Sequence, residues 1–103
     1  MKTTLHAIRL SIKLPEYNLK QNDAEIYDKH KCTIIGNLIA REYEDFSPKF
    51  TSILDNEMMI EFDMLKFPEY DIVGSLFFFD IKKQDIVEEI GRYRQAIESI
   101  PKL

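Results

Sequence analysis

The sequence predicts an α+β fold: a small, mostly antiparallel sheet with helices packed on it, in the order β-α-α-β-β-α. Three observations predict it. Apolar residues alternate near the start, an apolar stripe recurs at spacings of three and four near the end, and between them lie one alternating and one continuously apolar run. The 103 residues form one domain, 1–103, large enough to bury a core without a metal or disulfide staple. With 45% hydrophobic and 31% charged residues and no Gly/Ser linker, the chain is globular rather than disordered.

The elements follow in order. From Leu5 to Leu14, His6, Ile8, Leu10, Ile12 and Leu14 alternate with Arg9, Ser11 and Lys13, the period of a half-buried strand, and Pro15 stops it. Asn22-Asp23-Ala24-Glu25 carries a capping residue followed three positions later by Glu, so a helix starts there and runs to about Tyr43, with Ile26, Tyr27, His30, Ile34 and Leu38 on one arc. A hairpin competes for residues 31–43. Cys32 to Ile35 and Leu38 to Arg41 are β-rich around Gly36-Asn37, which suits a two-residue turn, and a helical Gly36 costs about 1 kcal/mol.

Ser47-Pro48 reads as a helix start, with Phe50, Ile53 and Leu54 forming a short apolar face behind it. Met58, Ile60, Phe62 and Met64 alternate with Met59, Glu61 and Asp63 as a second strand. Ile72 to Phe79 is apolar at both parities, as expected of a central strand covered on both sides. The last element is an amphipathic helix over about 84–100, with Asp85, Glu88 and Glu89 near its start and a stripe of Ile86, Ile90, Tyr93, Ile97 and Ile100. Glu88 and Arg92 are spaced as a helical ion pair.

Net charge is −4 with an isoelectric point near 5.2. An acidic chain without a basic stripe argues against nucleic acid and is compatible with a basic protein partner. No apolar run reaches membrane-spanning length, no signal-peptide stretch opens the chain, and the lone Cys32 has no internal partner; a cytoplasmic address is the expectation.

Candidate chemistry is sparse. Asp28, His30 and Cys32 would share one face of a strand but spread apart on a helix, and only His6 remains to complete a tetrahedral metal set, so no metal or other cofactor is expected. Cys32 with His30 or His6 as base matches no nucleophile motif. Ser75 follows Gly74 outside any G-x-S-x-G, and no phosphate-binding glycine motif occurs. The Gly74-Ser75-Leu76-Phe77-Phe78-Phe79 run is set apart from RNA-binding aromatic strands by Val73, where those carry a basic residue.

Glu42-Tyr43-Glu44-Asp45-Phe46 mixes acids with aromatics, the latter enriched where proteins meet proteins. The leading expectation is therefore a small acidic binding protein that occludes a protein partner, of the inhibitor, immunity or antitoxin type, using Glu42, Tyr43, Glu44 and Asp45. The alternative is a small enzyme or ligand-binding protein with a His/Cys/carboxylate pocket. A subunit completed by self-association is a third class; the oligomeric state is left open. Finally, Lys13-Leu14-Pro15-Glu16-Tyr17-Asn18 recurs as Lys66-Phe67-Pro68-Glu69-Tyr70-Asp71. Different flanks make this recurrent strand-ending chemistry, with Pro stopping the ladder and Tyr folding over the sheet end, rather than a catalytic Glu16/Glu69 pair.

Overall fold

The alternation that makes strands and the spacing that makes helices assemble here into a three-stranded antiparallel sheet, order β1-β3-β2, with the helices on one face. The computed structural model describes residues 7–77, 79 and 81–98. Its elements are β1 (Ala7–Lys13), α1 (Gln21–Glu42), a 3-10 turn (Glu44–Phe46), β2 (Lys49–Leu54), β3 (Glu57–Asp63), α2 (Ile72–Phe77) and α3 (Lys83–Glu98). The α+β class is as expected. His6 and Ile100 lie outside the described residues.

Register explains the core. Ile8, Leu10 and Ile12 pair with Phe62, Ile60 and Met58, and Phe50 pairs with Ile60 from the other side. Period two therefore sends all of them to the helix-covered face, where Met58, Ile60 and Phe62 lose all exposure. Each such burial contributes about 1.5–3 kcal/mol. The opposite face carries the row Arg9, Glu61 and Lys49, with Arg9 Nε 3.0 Å from Glu61 Oε2.

Gly36 decides between helix and hairpin. It lies inside α1, and a Cβ built on it would stand 3.2 Å from the Phe50 ring, so its missing side chain lets the helix sit directly on β2. That close approach offsets the helical cost of glycine. The helix begins at Gln21, with Lys20 as an N-cap that makes no side-chain bond, so Asn22 is not the cap. Asp23 instead accepts a bond from Arg94 Nη2 at 3.1 Å, tying α1 to α3. α1 bends at His30 (φ −129°, ψ 30°), whose ring centroid lies 4.7 Å from that of Tyr93.

Two segments differ in type from the sequence expectation. Residues 49–54 form β2 rather than a helix: Ser47 adopts a left-handed conformation (φ 45°), turning the chain so that Pro48 leads into a ladder. Asp55-Asn56 then closes a two-residue turn onto β3, with a bulge between Ser52 and Leu54. Residues 72–77 form helix α2 rather than a central strand, because Asp71 caps them. Its Oδ1 accepts from the Gly74 N–H (2.8 Å) and its carbonyl from the Ser75 N–H (3.0 Å). Ile72 is buried, but Val73 is exposed, so the segment is not covered on both sides.

A second polar contact between α1 and α3 centres on Glu89 of α3, 3% exposed. Its carboxylate accepts bonds from Arg41, from Arg92 Nη1 (3.3 Å) and from Asn37 Nδ2 (3.3 Å). Arg92 thus pairs with Glu89 rather than with the expected Glu88, whose Oε1 accepts from Gln84.

Candidate functional site

The acidic-aromatic segment and the second Pro-Glu-Tyr segment, distant in sequence, form one surface. Phe46, at the end of the 3-10 turn, is the hinge of the arrangement: its ring lies 5.1 Å from Phe67 and 5.0 Å from Tyr70 between centroids. The loop can reach it because Phe67-Pro68-Glu69-Tyr70 makes a tight turn closed by the Tyr70 N–H on the Phe67 carbonyl (3.1 Å), with proline preset at the second position. Ser75 fixes the far side. Its Oγ accepts from the Tyr70 hydroxyl (3.1 Å) and shares a bond with the Tyr43 hydroxyl (2.9 Å).

The predicted contact residues divide accordingly. Glu42, Glu44 and Asp45 are exposed. Tyr43 is buried, packing edge-on to Phe62 (5.6 Å) and Phe79 (5.9 Å), and burial pushes its phenol up, with the Ser75 bond pulling the other way. Tyr43 therefore braces the surface from inside. The apolar area that faces outward comes instead from residues the sequence did not single out as contacts, the aromatic Phe67 and Tyr70 and the aliphatic Leu65 and Val73, between 41% and 63% exposed. Exposed Glu69 and Asp71 interleave with them, and within residues 65–73 the one cation is Lys66. The signal that pointed to them was the P-E-Y repeat itself.

The first Pro-Glu-Tyr segment is spent differently. The Pro15 carbonyl accepts from the buried Tyr27 hydroxyl, and the Tyr17 ring stands edge-on to Tyr27 at 5.7 Å. Tyr17 donates to the Ile81 carbonyl at 2.8 Å, so its hydroxyl is tied to protein rather than left wet. The two prolines follow neighbouring antiparallel strands, β1 and β3, and so sit at opposite ends of the sheet. Seven residues of strand span about 20 Å. Glu16 and Glu69 consequently share no cleft.

Asp28, His30 and Cys32 lie around the bend of α1 and line one shallow depression of about 220 Å³ together with Ser52 and Asp55. Its chemistry is muted. The Cys32 thiol donates to Met58 Sδ (3.6 Å) and burial pushes its pKa up, the opposite of what a nucleophile or metal ligand requires. Among the described residues no group of three or more His, Cys, Asp or Glu is placed to hold a metal ion. Ser75 Oγ is held between the hydroxyls of Tyr43 and Tyr70. Among the described residues no helix is long and apolar enough to cross a membrane. No protein-family model matches the chain, and no curated protein or solved structure does either.

Proposed function

We propose that this chain is a small acidic cytoplasmic binding protein that occludes a protein partner, in the manner of an inhibitor, immunity protein or antidote. The observation that carries the reading is the Phe46-centred surface, where Phe67 and Tyr70 gather on Phe46 with exposed Glu44 and Asp45 beside it and exposed Glu69 and Asp71 in the same loop, while Glu42 lines a separate depression with Arg41 and Arg92. Aromatic anchors surrounded by like charges are the composition of a binding hot spot whose partner is basic: the rings supply desolvated area, and the carboxylates steer encounter and set specificity. Phe67 and Tyr70 are the anchors, and Glu44, Asp45 and Glu69 form the acidic rim.

The test is capture of the partner from the native cytosol with the intact chain as bait, followed by binding measurements on the purified pair. Phe67→Ala with Tyr70→Ala is expected to weaken binding at least tenfold. Glu44→Lys with Asp45→Lys is expected to slow association and flatten its salt dependence. If both double variants keep the native affinity and rates, the surface is not the contact. The alternative, a small enzyme or ligand-binding protein, draws its support from the depression shared by His30, Cys32 and Asp28; a ligand that protects Cys32 from alkylation would favour it.

A further inference from the structure

A second contact, independent of the acidic surface, is built into the sheet edge. We propose that the outer edge of β1, which pairs with no strand among the described residues, accepts an extended peptide segment in which apolar residues alternate with Asp or Glu, adding a fourth strand to the sheet.

Edge geometry is the first argument. The order β1-β3-β2 leaves the outer edges of β1 and β2 without a strand among the described residues. β2 is interrupted by its bulge between Ser52 and Leu54, a common device that prevents pairing. β1 has none: its register against β3 runs unbroken from Ala7 to Lys13, with no proline inside. A regular edge of seven residues offers an uninterrupted row of backbone donors and acceptors.

The core beneath that edge is unfinished. Ile8, Leu10 and Ile12 are only half-buried, although their partners Phe62, Ile60 and Met58 on β3 are completely so. At the Ile12 end of the strand opens a mostly apolar groove of about 440 Å³, whose lining includes Ile12, Lys13, Tyr17, Leu76, Phe79 and Ile81. A strand laid about 4.8 Å outside β1 would point alternate side chains over this groove.

Charge selects the occupant. The other face of β1 presents Arg9, Ser11 and Lys13, and Lys13 makes no ion pair among the described residues. β3 shows what β1 accepts on its paired side: Met58, Ile60 and Phe62 inward, with Glu57 opposite Lys13 and Glu61 opposite Arg9 outward. An incoming strand of the same pattern would repeat that match. A second copy of this chain would not. Face-preserving two-fold registers that pair at least five of the seven residues centre on Arg9, Leu10 or Ser11. The first sets Arg9 against Arg9, the last sets Arg9 against Lys13, and the middle one leaves Arg9 diagonal to Lys13.

The experiment titrates the isotope-labelled full chain with a blocked peptide of its own β3 sequence, Glu-Met-Met-Ile-Glu-Phe-Asp, and follows backbone amide resonances. The expected result is saturable shifts concentrated in residues 7–13, with a peptide carrying Lys at the three acidic positions binding more weakly. Lys13→Glu, at an exposed position, should lower affinity for the acidic peptide about two- to fivefold and raise it for the Lys peptide. Shifts elsewhere, no shifts, or equal affinity for both peptides would overturn the proposal. So would a concentration-dependent dimer with β1 amides protected, which would assign the edge to a second copy.

Discussion

The Glu89 cluster yields an asymmetry that a count of ion pairs misses. Glu89 is 3% exposed, whereas the side chains of Arg41 and Arg92 are 51% and 55% exposed. Glu89→Ala removes a charge from the interior and leaves two guanidiniums that water already reaches. The lost bonds are therefore largely replaced by hydration, and the cost is expected at about 1–2 kcal/mol. Arg41→Met with Arg92→Met does the reverse, stranding a buried carboxylate with Asn37 as its remaining donor, and the expected cost is about 3–5 kcal/mol. Adding Glu89→Ala to that double variant should restore most of the loss. Urea denaturation at neutral pH followed by circular dichroism measures all three, with unchanged slope confirming that the same surface unfolds. If Glu89→Ala costs as much as the double arginine variant, or the triple variant is the least stable, the carboxylate is not the buried party and the reasoning fails.

Three further outcomes follow from the packing. Gly36→Val should destabilise by about 1–3 kcal/mol, because its side chain meets the Phe50 ring; Phe50→Ala in the same background should make the added penalty of Val small, as judged by a double-mutant cycle in thermal unfolding. Burial raises the Tyr27 phenol above its ordinary value, so the folded state holds that proton longer than the unfolded chain does. Stability is then unaffected by this group below about pH 10 and falls as pH rises past it, and Tyr27→Phe should flatten that alkaline decline in a pH series of urea midpoints. Alkylation of Cys32 by iodoacetamide should show a pH midpoint above that of a free thiol; a midpoint below it would reveal an activating cation.

Much of the fold was legible because period and spacing are local. β1, β3, α1 and α3 follow from alternation or from a three-four stripe, and their partners only confirm them. The two segments that changed type were decided by capping and turn chemistry that apolar patterning does not carry. At residues 71–74 a single aspartate captures the Gly74 N–H and converts a β-rich run into α2; a Cβ on Gly74 would clash with that carboxylate, so Asp71 and Gly74 work as a pair. At 47–54 Ser47-Pro48 reads as a helix start, and the turn dipeptide Asp55-Asn56, which closes β2 onto β3, does not enter that reading. The candidate surface was half legible. Composition exposed Glu42, Glu44 and Asp45, but nothing local says that Tyr43 turns inward or that Phe46 gathers Phe67 and Tyr70, which only a long-range contact determines.

The register of β1 also has a temporal side. Its partners on β3 lie between 44 and 56 residues downstream, Lys13 opposite Glu57 and Ala7 opposite Asp63. A ribosome adding about 5–20 residues per second takes roughly 2–11 seconds to supply them. Throughout that interval Ile8, Leu10 and Ile12 emerge as a β-patterned strand with no ladder to join, while β2 and β3, separated by two residues, can close on each other as soon as both are made. β1 is therefore made well before the strand that pairs with it, whereas β2 and β3 are made almost together. Arg9 and Lys13, the two cations that select a strand in the finished sheet, are also the charges that keep that early segment apart from its copies on neighbouring chains.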